Sequence, residues 1–224
     1  MSMPLSIPLI VALLIAILAV LAVAGYVAVR PRMLQWGATP AEAGHAMDGD
    51  ELISDPILVT TRAISVNVGP ERVWPWLAQM GQGRGGFYSY EWLENLVGLD
   101  IHNSDQIVPE LQDLKPGDLI PFWRGAGVNA AVVDPRRLLL LAGTLNPPRG
   151  QETGSSDVGG TWVFALDEPQ RGSTRMVVRS RVAKFQPAWL SAVFMRVLEP
   201  VHFVMERKML RGIRDRAERM SAAG

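Results

Sequence analysis

The residues best equipped for chemistry fall in a few short stretches. Gly81-x-Gly83-x-x-Gly86 has the letters of a dinucleotide fingerprint. Four aromatic residues, Phe87, Tyr88, Tyr90 and Trp92, follow within six positions. Asp100-Ile101-His102-Asn103-Ser104-Asp105 holds acid and base groups side by side, and Glu199-x-x-His202, with Glu206 a turn further on, is half of a carboxylate–histidine metal pattern.

Each stretch has a plainer reading. The dinucleotide fingerprint works when a strand precedes it and a helix opens at its end, so that the pyrophosphate sits on the helix N-terminus. Here an amphipathic helix precedes it and the next helix starts three residues late, which predicts a flexible loop able to gate a cavity. Arg84 in that loop either holds the loop or grips an anionic head group through two parallel hydrogen bonds. The aromatic run either lines a cavity mouth or fills a core. A di-iron site needs a second Glu-x-x-His and two further glutamates, and none is present, so Glu199, His202 and Glu206 read as ion-paired or capping residues. His45, His102 and His202 have no zinc spacing. The polar run 100–105 reads as turn chemistry. No nucleophile elbow and no Gly-Lys-Ser/Thr phosphate loop occurs. The expectation is therefore no metal, no cofactor and no catalytic set, with binding favoured over catalysis.

The elements that must position these residues are legible from periodicity. Leu58–Val68 alternates, with Ile64, Val66 and Val68 on one face. Gly69-Pro70 starts a helix carrying Val73, Trp74, Leu77 and Met80 at helical spacing. Ser89 is placed to cap a second short helix bearing Trp92, Leu93, Leu96 and Val97. Strands are predicted over Asp118–Trp123, Val128–Val133, Leu138–Leu145, Thr161–Leu166 and Thr174–Lys184. In the last, Met176, Val178, Ser180 and Val182 alternate with Arg175, Val177, Arg179 and Arg181, which predicts one face on a core and one in water. From Pro187 to about Met220 the pattern is helical, with Pro200 expected to kink or split it. Strands on one side with helices segregated to the other make an α+β layout.

Length and charge set the frame. The 224 residues carry 22 basic and 22 acidic side chains and no cysteine. Every charged residue follows Val29, and Leu9–Ala24 is wholly apolar. About 20 apolar residues cross a bilayer, so residues 1–32 are read as a transmembrane anchor. A cleaved signal peptide is the rival; Ala22-Val23-Ala24 would be its small-x-small site, but no basic residue precedes the apolar core. Arg30 and Arg32 follow the span, which predicts an outward N-terminus and a domain facing the cytoplasm at the cell membrane. Residues 33–57 are read as a juxtamembrane linker, with Thr39-Pro40 starting a helix, and 58–220 as the folded domain. Arg207–Arg219 holds six basic and two acidic residues. It reads as a solvated helix end, with anionic lipid as the next reading and nucleic acid set aside because net charge is zero.

Three stretches then resemble a known family: Val73-Trp74-Pro75-Trp76-Leu77-Ala78-Gln79-Met80-Gly81 running into Arg84–Glu94, Ile107-Val108-Pro109-Glu110-Leu111-Gln112, and Met205-Glu206-Arg207-Lys208-Met209-Leu210-Arg211-Gly212-Ile213. They are similar to the SRPBCC (START-like, polyketide cyclase, Bet v 1) superfamily, in a membrane-anchored, actinobacterial-type subgroup. The resemblance implies a helix-grip fold, a curved antiparallel sheet around a long C-terminal helix with an apolar cavity between them. It brings no shared catalytic residues, and fold alone does not give function. The implied ligand-binding residues are Arg84, Phe87, Tyr88, Tyr90, Trp92, Trp162, Val178 and Trp189. Further cavity walls are expected from Ile64, Val66, Met176, Phe164, Val193 and Val197. The implied role is a membrane-anchored binding protein for a hydrophobic small molecule or lipid. The alternatives are an accessory subunit of a membrane protein complex and a cyclase-like enzyme acting on a hydrophobic substrate.

Overall fold

The computed structural model describes residues 7–123, 126–143, 159–185 and 187–222. The first six residues of the expected anchor and the end of the strand expected over Leu138–Leu145 lie outside the described residues. The chain divides into two compact units, Met1–Leu34 and Gln35–Gly224. The first is one helix, α1 (Ile7–Leu34). Its stretch Pro8–Leu34 is long and apolar enough to cross a membrane.

The second unit is built on a six-stranded sheet: β1 (Pro56–Val66), β2 (Leu119–Trp123), β3 (Ala126–Asp134), β4 (Leu138–Gly143), β5 (Gly160–Asp167) and β6 (Thr174–Ala183). Their order is β1-β6-β5-β4-β3-β2, and each neighbouring pair is antiparallel. β2 to β6 are joined in sequence order, and β1 closes the edge against β6. α2 (Pro40–Gly44), α3 (Pro70–Ala78) and α4 (Glu91–Leu96) are short, and α5 (Ala188–Ala222) is long. The architecture is a curved helix-grip α+β fold. The core lies between the inner sheet face and the C-terminal part of α5, where Ile64, Val66, Phe164, Met176 and Val178 meet Met209, Leu210, Ile213 and Ala217. Gly212 lets α5 press on the loop before α4, because a Cβ there would lie 2.3 Å from the Tyr88 carbonyl oxygen.

The outer face of β6 is largely covered. Residues 35–55, within the 33–57 expected as a linker, lie across it and are held by its arginines. Arg175 forms a two-pronged pair with Glu42 at 2.7 and 2.8 Å. Arg179, only 3% exposed, donates to Asp50 and to the carbonyls of His45, Glu42 and Ala43. Arg181 donates to the Ile53 carbonyl. Trp36 accepts from Ala63 N and packs against the core. Alternation of arginine with apolar residues reads as a solvated face, but a guanidinium with five donors equally suits a layer of carbonyls and carboxylates. Thr39 and Glu42 form the reciprocal capping box of α2, so the Thr39-Pro40 start is where the sequence puts it.

One local expectation is sharpened and another changes. Pro200 does not split α5, which runs through it as one 35-residue helix. Ser89 does not cap α4; Tyr90 holds that position without a side-chain cap, and the Ser89 hydroxyl donates to the Met205 carbonyl of α5.

Candidate functional site

A cavity of about 370 Å³ opens between the inner sheet face and the middle of α5. Phe87, Phe122 and Trp162 form one aromatic wall, with Phe87 and Phe122 stacked at 5.2 Å and Phe122 and Trp162 at 5.9 Å. Leu141, Val182, Met205 and Met209 supply aliphatic surface. The polar side chains at its lining include Glu94, Ser180, His202 and Glu206.

Glu206 is the centre of a closed polar cluster. Its side chain is 1% exposed, and Arg62 of β1, at 0%, is ion-paired to its Oε2. Oε1 accepts from Trp162 Nε1 at 2.8 Å and from Ser180 Oγ at 3.4 Å. Arg62 Nη1 also lies 3.2 Å from His202 Nδ1. A guanidinium only donates, so Nδ1 is the acceptor and the imidazole proton sits on Nε2, which lies 3.7 Å from Glu206 Oε1. Burial depresses the His202 pKa, and Arg62 adds to that against the opposing pull of Glu206 and Glu199. With Nδ1 accepting from Arg62, the imidazole is neutral in this arrangement and its basic nitrogen is occupied. Phe203 lies against the Arg62 guanidinium at 5.4 Å. This cluster joins β1, β5, β6 and α5, and within it His202 Nδ1 is occupied by Arg62.

Glu94 differs. It is 6% exposed, and its Oε2 is buried with no hydrogen-bond partner. Burial and then the nearby Glu91 push its pKa up to about 7.

The residues expected to bind ligand scatter. Phe87 and Trp162 line the cavity. Val178 is fully buried in the packed core, as are Ile64, Val66, Phe164 and Met176. Tyr88 is also core, at φ +58°, with its hydroxyl donating to the Trp76 carbonyl and its pKa raised by burial. Tyr90 packs against Trp92 and faces Lys208. Trp92 is 68% exposed. Trp189, Val193 and Val197, read as cavity walls, are exposed on the first half of α5. An apolar stripe has the same period whichever way a helix is rolled, and only packing decides what it faces. Arg84 donates to the carbonyls of Met80 and Ala78 at the end of α3, so it holds the loop.

That glycine loop is pinned. Gly81 and Gly86 bridge each other, Gln82 N donates to Pro121 O and Gly85 N to Gln79 O. Gly86 has φ +75°, and a Cβ there would meet Asn103 Oδ1 at 2.5 Å. Asn103 in turn accepts from Tyr88 N and donates to Ser89 O, so the polar run 100–105 acts as a clamp on this loop. Among the described residues no three His, Asp or Glu side chains form a group that could hold a metal ion.

Sequence reasoning missed Arg62 and Glu94. Arg62 lies in phase with Ile64 and Val66, so a charge on the apolar face was its available signal. Glu94 gave no signal, because Trp92 and Leu96, the apolar residues beside it on α4, face outward.

No protein-family model matches the chain, and no curated protein matches it. Among solved structures it is similar to protein MLL2253 from Mesorhizobium loti, at 14% identity over 72% of this chain and 98% of that one, TM-score 0.38. It is also similar to CalU16 from Micromonospora echinospora, at 13% identity over 73% and 86%, TM-score 0.33. Ms6760 from Mycobacterium smegmatis matches at 14% identity over 71% and 90%, TM-score 0.36. The helix-grip assignment rests on this chain's own topology.

Proposed function

We propose that the domain is a membrane-anchored member of the SRPBCC superfamily that binds a mostly apolar small molecule or lipid in the cavity beneath α5. The observation that carries this reading is the cavity itself. It is walled by aromatic and aliphatic side chains with a few polar groups, the usual composition of a small-molecule site. A carrier fits better than an enzyme because the one histidine and the one ion-paired carboxylate at the site are locked onto each other through Arg62, which leaves Glu94 without an acid–base partner in the lining.

Two features favour a lipid source. α1 is long enough to cross a bilayer, and Arg30 and Arg32 after it favour a cytoplasmic domain by the positive-inside rule. The domain also exposes Trp92 and Leu96 on α4, Val97 just after it, and Trp189, Val193 and Val197 on α5, surface that a bilayer would cover. An accessory subunit would use the same surface against protein.

Native mass spectrometry with lipid extraction on the detergent-purified chain tests the reading. One apolar molecule per chain is expected, and Val182→Phe at the cavity wall should abolish it. Wild-type protein that carries none, and takes up none from added lipid, refutes the carrier reading. A cysteine placed after Gly224 should resist a membrane-impermeant thiol reagent in intact cells; labelling would reverse the orientation.

A further inference from the structure

α4 exposes two of its apolar residues, Trp92 and Leu96, as does Val97 just past its end, and buries the acidic Glu94. Trp92, Leu96 and Val97 are 68%, 74% and 70% exposed, while Glu94 between them is 6% exposed. Glu94 lines the cavity, and its Oε2 is buried without a hydrogen-bond partner. Burying a carboxyl that makes no hydrogen bond is costly, and α4 is held in that orientation by Asn95, paired with the Ile101 backbone, and by Glu91, which accepts from Asn103 N. Such an oxygen is able to accept from a group inside the cavity.

We propose that the cavity takes an apolar ligand bearing a hydrogen-bond donor, a hydroxyl or a protonated amine, and that Glu94 accepts from it. The assignment rests on the ligand-binding reading and names the chemistry of the ligand's polar end. Thr161 Oγ1 is another lining oxygen buried without a partner, but a neutral hydroxyl is a weaker acceptor than a carboxylate. Both Glu206 oxygens are taken by Arg62, Trp162 and Ser180. The Ser89 hydroxyl is spent on the Met205 carbonyl. His202 Nδ1 already accepts from Arg62. Glu94 is thus the carboxylate at the cavity with an oxygen to offer. The walls of Phe87, Phe122, Trp162, Leu141 and Met209 give the remainder of the ligand hydrocarbon or ring surface to lie on. With its pKa near 7, the carboxyl is present in both forms at neutral pH, and an arriving cation draws it into the ionised one.

The test uses the detergent-purified full chain and three probes of one chain length: dodecylamine, dodecanol and dodecyl methyl ether, which has no donor. Retention is read by native mass spectrometry. Wild type should hold the amine and the alcohol one per chain, and the ether at least about tenfold more weakly, the ratio expected for one hydrogen bond to a charged acceptor. Glu94→Leu should bring all three to the level of the ether, and Glu94→Gln should lose the amine while keeping part of the alcohol. Both variants remove a buried unpaired charge, and circular dichroism checks that they fold. Equal retention of the three probes by wild type, or undiminished amine binding in both variants, overturns the role of Glu94 and leaves the cavity reading standing. Failure of wild type to hold any probe overturns both.

Discussion

Arg62 and Glu206 should behave as one unit. Both side chains are 1% exposed or less. Arg62→Met leaves a buried carboxylate with Trp162, Ser180 and His202 as remaining neighbours. Glu206→Met leaves a buried guanidinium beside a neutral imidazole and frees Trp162 Nε1. Breaking one side of a buried pair costs ~3–5 kcal/mol; Arg62→Met should fall at the lower end, because Trp162 still donates to the carboxylate. The double variant Arg62→Met/Glu206→Met removes both charges and keeps most of the volume. Its main loss is the unpaired Trp162 Nε1, of order 1–3 kcal/mol. The double variant should therefore be more stable than the sum of the singles predicts by at least about 3 kcal/mol. Urea unfolding followed by circular dichroism on all four proteins measures this. If the singles add to within ~0.5 kcal/mol, the two charges are not coupled, and the argument for a closed Glu206 cluster is refuted.

Glu94, raised to about 7, binds its proton more tightly folded than unfolded. Stability should then fall as pH rises from the unfolded carboxyl value through 7, by up to about 3 kcal/mol at 1.36 kcal/mol per unit. Glu94→Gln should flatten that slope in unfolding measured between pH 4 and pH 8.5, and an unchanged slope would contradict the burial argument. Glu42 is held down at about 2, first by its hydrogen bond to Arg175, so its contribution is present above the unfolded value and lost as pH falls through 2. Glu42→Gln should cost roughly 2 kcal/mol at pH 7, allowing for its partial exposure, and nothing at pH 1.5. Trimming the chain to start at Pro56 should abolish folding, while a start at Gln35 should preserve it, read by circular dichroism; an intact fold from Pro56 would show that the strap over β6 is dispensable. Val178→Phe should cost ~1–3 kcal/mol by overpacking a filled core, whereas Val182→Phe at the cavity should cost less than about 1 kcal/mol; equal melting temperatures would mean that the two sites are equally open.

The strands of this fold could be read to within about two residues at their ends, because a half-buried strand writes its face into alternate positions: Ile64, Val66, Met176 and Val178 are all buried together. The α3 start at Pro70 and the Thr39 cap were legible for a similar reason, since each depends on residues within one turn. The apolar length of Pro8–Leu34 is likewise a property of the sequence alone. Facing is a different matter. Val193 and Val197 have the spacing of a core stripe yet are exposed, and Glu94 has the chemistry of a surface residue yet is buried. Arg175, Arg179 and Arg181 look solvated but hold a segment more than a hundred residues away in sequence. Local spacing fixes which residues share a face. What that face meets is decided by partners distant in the chain, so the cavity, its Arg62–Glu206–His202 cluster and its unpaired Glu94 exist only in the tertiary structure.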